Sequence, residues 1–122
     1  MRFRASIPAS LRDLLPNQFI VEWSFRASNE KGFPSPEEMF ESEDFGRELC
    51  ETLERYDDAL LAFMATGNSV REWYFYCRDV LQLQERFNTV ANGRPFPIEL
   101  HAGYDPAWRV YREFTSAFEG DV

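Results

Sequence analysis

Val70-Arg-Glu-Trp-Tyr-Phe-Tyr-Cys-Arg-Asp79 is the stretch on which the fold turns. Its four consecutive aromatics, Trp73 to Tyr76, lie between a Gly-Asn-Ser turn at 67–69 and Asp79. That density of rings, so bounded, predicts a strand near the middle of a sheet. One parity carries Trp73, Phe75 and Cys77, which suit a dry core. The other carries Glu72, Tyr74, Tyr76 and Arg78, whose apolar bodies and polar tips suit a half-exposed face.

Upstream, Ala59 to Ala65 is apolar on both parities, with Leu60 and Met64 on one and Leu61 and Phe63 on the other. Thr66 to Ser69 then reads as a hairpin turn into the aromatic strand. Gln18 to Ala27 alternates cleanly, Phe19, Val21, Trp23 and Phe25 against Ile20, Glu22, Ser24 and Arg26, as a strand with one buried face does. Ser35-Pro36-Glu37-Glu38 is a capping box with proline at the first helical position. The helix it starts runs to about Tyr56, with Phe45, Leu49, Leu53 and Tyr56 on one stripe and Gly46 marking a close approach to the sheet. Ahead of all this, Ser10 caps a short turn holding Leu11, Leu14 and Leu15, which Pro16 stops.

Downstream, Asp79 caps a second helix with Val80, Leu83, Phe87 and Val90 at helical spacing, ended by Asn92-Gly93. Pro95 to His101 is a fourth strand with Phe96, Ile98 and Leu100 inward, and its two prolines predict an edge position. Asp105-Pro106 starts a third helix with Ala107, Val110, Tyr111, Phe114 and Phe118 on one side. That stripe must pack either on the open sheet face or on a second copy of the chain.

The order is β-α-β-β-α-β-α. This is an α+β, ferredoxin-like split β-α-β arrangement, a four-stranded antiparallel sheet with an additional C-terminal helix. Residues 1–17 read as an N-terminal extension and 18–118 as a single domain. Trp23, Leu49, Leu53, Trp73, Phe75, Phe87 and Ile98 are expected to share one core.

With 44% apolar residues and twelve phenylalanines, the chain can fold without metal or disulfide support. Cys50 and Cys77 form no CxxC pair and read as reduced, mostly buried thiols of a cytoplasmic protein. Pro8, Ser10, Arg12 and Asp13 interrupt what would be a signal peptide after Arg2 and Arg4. Nor does any apolar run approach the ~18 residues that a membrane span needs.

The net charge of −8 is localised. Residues 37–58 hold ten acids against two arginines, leaving eleven acids and eleven basic residues elsewhere. This weighs against nucleic acid, which needs a basic patch. It leaves a solvated helix face or a docking surface for a basic protein partner, with Glu41, Glu48 and Glu51 as its candidate residues.

Phe33-Pro34 with Pro36-Glu37-Glu38, the strand Arg71 to Tyr76, and the ending Tyr104-Asp105-Pro106-Ala107-Trp108 to Phe114 together resemble an uncharacterised bacterial family, domain of unknown function 695. The likeness covers roughly residues 10–118. It implies no catalytic residues. It also implies a likeness of fold to the protein regulator of ribonuclease E, a small acidic inhibitor, and through that an interaction role by analogy alone.

No phosphate-binding loop, serine-nucleophile elbow or zinc-type Cys/His cluster is present, so neither a cofactor nor a metal is expected. One constellation stands out. If the first and fourth strands are neighbours, Glu22, Arg26, Glu99 and His101 share the open face with Tyr74 and Tyr76. Close carboxylates beside a histidine can do acid/base work or hold a small molecule, and the plain alternative is a hydrated sheet face. Exposed rings at 74 and 76 would resemble an RNA-recognition sheet, but the strand lacks the glycines of that motif. Alternatively the third helix folds over them, burying both rings beneath Trp108, Tyr111 or Phe114.

Overall fold

A computed structural model of the chain describes residues 2–3, 7, 9–25, 35–67 and 69–119. Its elements are β1 (Arg2–Phe3), α1 (Ala9–Asp13), β2 (Asn17–Ser24), α2 (Pro36–Leu53), β3 (Ala59–Gly67), β4 (Val70–Cys77), α3 (Val80–Ala91), β5 (Ile98–Tyr104) and α4 (Arg109–Glu119). Local chemistry accounts for their limits. The Ser35 hydroxyl accepts from the Glu38 N–H with Pro36 in the first turn, which starts α2. Asp79 accepts from the N–H groups of Leu81 and Gln82 and starts α3. Gly93, at φ +70°, follows the end of α3.

The strands lie in the order β1-β3-β4-β2-β5, and every pairing is antiparallel. Leaving aside the two-residue β1, β3-β4-β2-β5 is the ferredoxin-like order, with α2 and α3 as the crossovers of the two β-α-β halves. β4 and β2 are central. β5 is an edge, as Pro95 and Pro97 predict, although both prolines precede the strand.

Both crossovers pack on one face, where the expected core forms. Phe19, Val21 and Trp23 of β2 and Trp73, Phe75 and Cys77 of β4 meet Phe45, Leu49 and Leu53 of α2 and Leu83, Phe87 and Val90 of α3. Phe96, Ile98 and Leu100 close its β5 side. Phe45 stands edge-on to Trp73 and to Phe96, with centroids 5.8 and 5.2 Å away. Gly46 lets α2 come this near: a Cβ there would lie 2.9 Å from Cζ2 and Nε1 of Trp73.

β3 departs from simple alternation. Its register with β4 slips between Leu61 and Phe63, so the β-bulge there turns the strand. Leu61 and Met64 thereby join the helix-covered core, whereas Leu60, Ala62 and Phe63 face the other way. The extra residue, not a strict period of two, explains why β3 is apolar on both sides.

On that second face Leu15, Ala62, Phe63, Tyr76, Trp108 and Tyr111 make a further core, edged by Ile7, Leu11, Leu60, Tyr74 and Val110. The leading segment is thus part of the packing, and β1 pairs with β3 at Met64 and Phe63.

Several expectations need correction. α4 begins at Arg109, not at Pro106, because residues 105–108 form a turn. Ala107 is therefore exposed, and the side chains of Phe114 and Phe118 fall outside what is described. Tyr56 lies beyond the end of α2 and is exposed, with the Arg86 guanidinium 4.7 Å over its ring. Ser10 sits inside α1 and does not precede it. Arg26, the 28–34 loop and Asn68 lie outside the described residues.

Two buried charged groups tie the elements together. Asp58 accepts two bonds from Arg86, at 2.7 and 2.5 Å. That bidentate pairing outweighs burial and holds the Asp58 carboxyl below its ordinary range. Arg71, on the same parity as Trp73, donates to Thr66 and Ser42 and reaches the Met39 sulfur, tying α2 to the β3–β4 hairpin. Both cysteines are free thiols, and burial pushes Cys77 up to about 12, which leaves it unreactive.

Two substitutions test this packing. Phe75→Ala, at a fully buried ring, should cost about 3–5 kcal/mol. In an exposed helix, Gly46→Ala would stabilise by up to about 1 kcal/mol. Here the clash with Trp73 should reverse the sign and cost about 1–3 kcal/mol. Urea unfolding midpoints of the two variants decide, and a stabilised Gly46→Ala would show that α2 does not press on Trp73.

Candidate functional site

Antiparallel register places the polar residues of the open face in three rows. Tyr76 of β4 lies opposite Gln18 of β2, which lies opposite Gly103 of β5. Tyr74, Ile20 and His101 form the next row, and Glu72, Glu22 and Glu99 the third. β2 pairs with β5 as the sequence requires, so Glu22, Glu99 and His101 do come together.

The first row is closed at Tyr76. Trp108 stacks on Tyr76 with centroids 4.0 Å apart and planes 13° from parallel, and it donates its indole N–H to the Leu15 carbonyl at 2.8 Å. Tyr111 meets Trp108 edge-on. Asp105 holds this lid. Its carboxylate accepts from the Tyr76 hydroxyl at 2.7 Å and from the N–H groups of Arg109 and Val110 at the start of α4. Burial raises the Asp105 pKa, but these three donors together bring it below the ordinary carboxyl value. Trp108 adopts φ +53°, a left-handed conformation that non-glycine residues avoid unless the surroundings enforce it. Tyr76 is therefore a core residue, as the alternative reading of the third helix has it, and its hydroxyl is pushed up by burial and by Asp105.

The second row is half covered. Tyr74 stacks on Phe63 at 4.1 Å and donates to Glu72 at 3.1 Å. Burial first, then the Glu72 charge, pushes its phenol up to about 12. At neutral pH both tyrosines are hydrogen-bond donors and neither is an acid/base group.

What stays open is Glu22, Glu99 and His101. The His101 Nε2 lies 3.6 Å from a Glu22 oxygen and 3.8 Å from a Glu99 oxygen. The Glu22 side chain is only 22% exposed, against 51% for His101 and 73% for Glu99. One donor atom from each lies within 4.8 Å of the others, close enough to address a common ion. The expected Arg26 counter-charge lies outside the described residues.

On the opposite side of the molecule, the acids of α2 divide into two groups. Glu48 pairs with Arg94 at 3.0 Å and Asp44 pairs with Arg47. Glu48 is thus already engaged within the fold. Glu37, Glu41 and Glu51 are exposed, and with Phe40, Asp44 and Glu48 they recur at three- and four-residue steps along the outer stripe of α2. Phe40, 70% exposed in the middle of this stripe, escaped the sequence reading. Its signal was legible: it stands half a turn away from the Phe45, Leu49, Leu53 stripe.

No helix among the described residues is long and apolar enough to cross a membrane. A family model described as a family of unknown function, DUF695, matches residues 7–116. No curated protein and no solved structure matches the chain.

Acid unfolding tests the Asp105 clasp. Its folded pKa is depressed below 3.8, so the stability it contributes is present above that value and is lost as pH falls through the folded value. Between about pH 4 and pH 2 the melting temperature of the wild type should therefore fall. Asp105→Asn should melt lower at pH 7 and decline less over that window, with Asp58 accounting for the remaining slope. Parallel melting curves would remove Asp105 from the acid response.

Proposed function

The chain belongs to the DUF695 family, whose function is unknown, and we propose that it is a cytoplasmic binding module without catalysis that docks a protein partner on the outer stripe of α2. The observation that carries this reading is Phe40. A phenylalanine exposed to 70% among Glu37, Glu41 and Asp44 offers an apolar anchor inside a ring of carboxylates. Buried aromatic anchors dominate binding energy, and surrounding charges exclude wrong partners and steer the encounter. The partner that fits presents lysines or arginines around an apolar pocket. Net charge points the same way, because the ten acids of residues 37–58 carry the whole excess of the chain.

Two further features support a module over an enzyme. The tyrosines nearest the open-face carboxylates are spent, Tyr76 beneath Trp108 and Tyr74 against Phe63. Free thiols, with Cys77 buried, suit a reducing compartment.

Affinity capture with paired baits checks it. The wild type should retain proteins near 0.15 M salt that are released as salt rises to about 0.5 M, since exposed charges are screened over ~8 Å at physiological strength and less above it. A Phe40→Ala, Glu41→Gln, Glu51→Gln bait, with its melting temperature nearly unchanged, should fail to hold them, Phe40 alone accounting for about 2 kcal/mol. Identical retention by both baits returns α2 to a solvated helix face.

A further inference from the structure

We propose that Glu22, Glu99 and His101 form a site for a divalent transition-metal ion, with zinc the ion it fits best. Glu22 and Glu99 lie directly opposite each other on neighbouring antiparallel strands, and His101 follows Glu99 by two residues on the same face. The sheet register, and no loop, thus sets all three donors. Their separations suit a shared ion. Zinc binds imidazole nitrogen and carboxylate oxygen at about 2.0–2.2 Å, which puts tetrahedral ligand atoms roughly 3.3–3.5 Å apart. The observed 3.6 and 3.8 Å to the imidazole are near that, and all three ligand atoms lie within 4.8 Å of one another, so side-chain rotations can close the set on one ion.

A second observation concerns charge. Glu72, Glu22 and Glu99 form an unbroken row across β4, β2 and β5, and like charges directly opposite destabilise a sheet. Glu22, the central one, is less exposed than either Glu99 or His101. Tyr74 takes up one carboxylate oxygen of Glu72, so the outer member of the row is already held. Among the described residues, His101 is the group that faces both Glu22 and Glu99. A dication there would offset the repulsion along the row and use the imidazole as ligand. The donor set also selects. An imidazole with two carboxylates favours zinc over magnesium and calcium, which prefer oxygen ligands throughout. Three protein ligands leave one position facing solvent on the uncovered part of the sheet, as in zinc sites that keep a place for water or a small ligand.

Equilibrium dialysis of the untagged full chain against zinc, with magnesium as comparison, tests the assignment. One zinc per chain is expected, with tenfold or greater weakening in His101→Ala and in Glu22→Gln and no change in Glu41→Gln, Glu51→Gln. Cobalt loaded in its place should show the visible absorption of a four-coordinate ion, absent from His101→Ala. Zinc should also raise the melting temperature of the wild type and leave that of His101→Ala unmoved, a comparison possible because this exposed side chain can be removed without opening the core. Equal zinc binding by wild type and His101→Ala, or binding lost only in the α2 variant, would overturn the site.

Discussion

β4 is covered on both sides, and the rest of the structure follows from that. Trp73, Phe75 and Cys77 leave the strand in one direction and Tyr76 in the other, all of them buried. A ferredoxin-like sheet with helices on one face satisfies only the first set. The second needs another layer, which the ends of the domain supply: α1 and Leu15 from one side, α4 with Trp108 and Tyr111 from the other. The Trp108 indole N–H on the Leu15 carbonyl joins residues 93 positions apart and closes that layer.

Asp105 shows how a single carboxylate makes such a layer specific. α4 starts after a turn, so its first N–H groups need acceptors from outside the helix. Asp105 supplies them from four and five residues upstream while also taking the Tyr76 hydroxyl. One side chain therefore fixes both where the helix starts and which ring it covers. The left-handed Trp108 is the consequence: the backbone must turn sharply between the capping residue and the helix for the indole to lie flat on Tyr76.

Most of the fold was legible because its signals are local and agree with one another. Ser35-Pro36, Asp79 and Asn92-Gly93 mark helix ends, and the parity of β2 and β4 marks the core face. Where the reading failed, the determining contact was not local. A bulge in β3 depends on its pairing with β4, and no period of two reveals it. The start of α4 depends on an aspartate bound to a tyrosine 29 residues away, so Asp105-Pro106 resembled an ordinary cap. The site was half legible in the same sense. Glu22, Glu99 and His101 share a parity and adjacent strands, which suffices to bring them together. That Tyr76 would leave the site required knowing where α4 lands, and the sequence offered that only as one of two alternatives.

The extent of the lid also explains why the acidic row lies in the open. After the turn at 105–108, Trp108 and the start of α4 fold back onto Tyr76, in the row nearest the Tyr104 end of β5. Along a strand the Glu99 row is four residues further on, about 13 Å at ~3.3 Å per residue. A helix with its side chains is about 10–12 Å across, so one helix seated on the first row cannot also cover the third. Carboxylates are what such a position tolerates, since ionised groups placed under a helix without partners would cost several kcal/mol each. Topology leaves the row uncovered, and water or a cation can reach it. Solvation by itself explains exposed glutamates. It does not explain three of them in register with the central one less exposed than Glu99 and a histidine turned toward two, and that arrangement separates this corner of the sheet from an ordinary wet face.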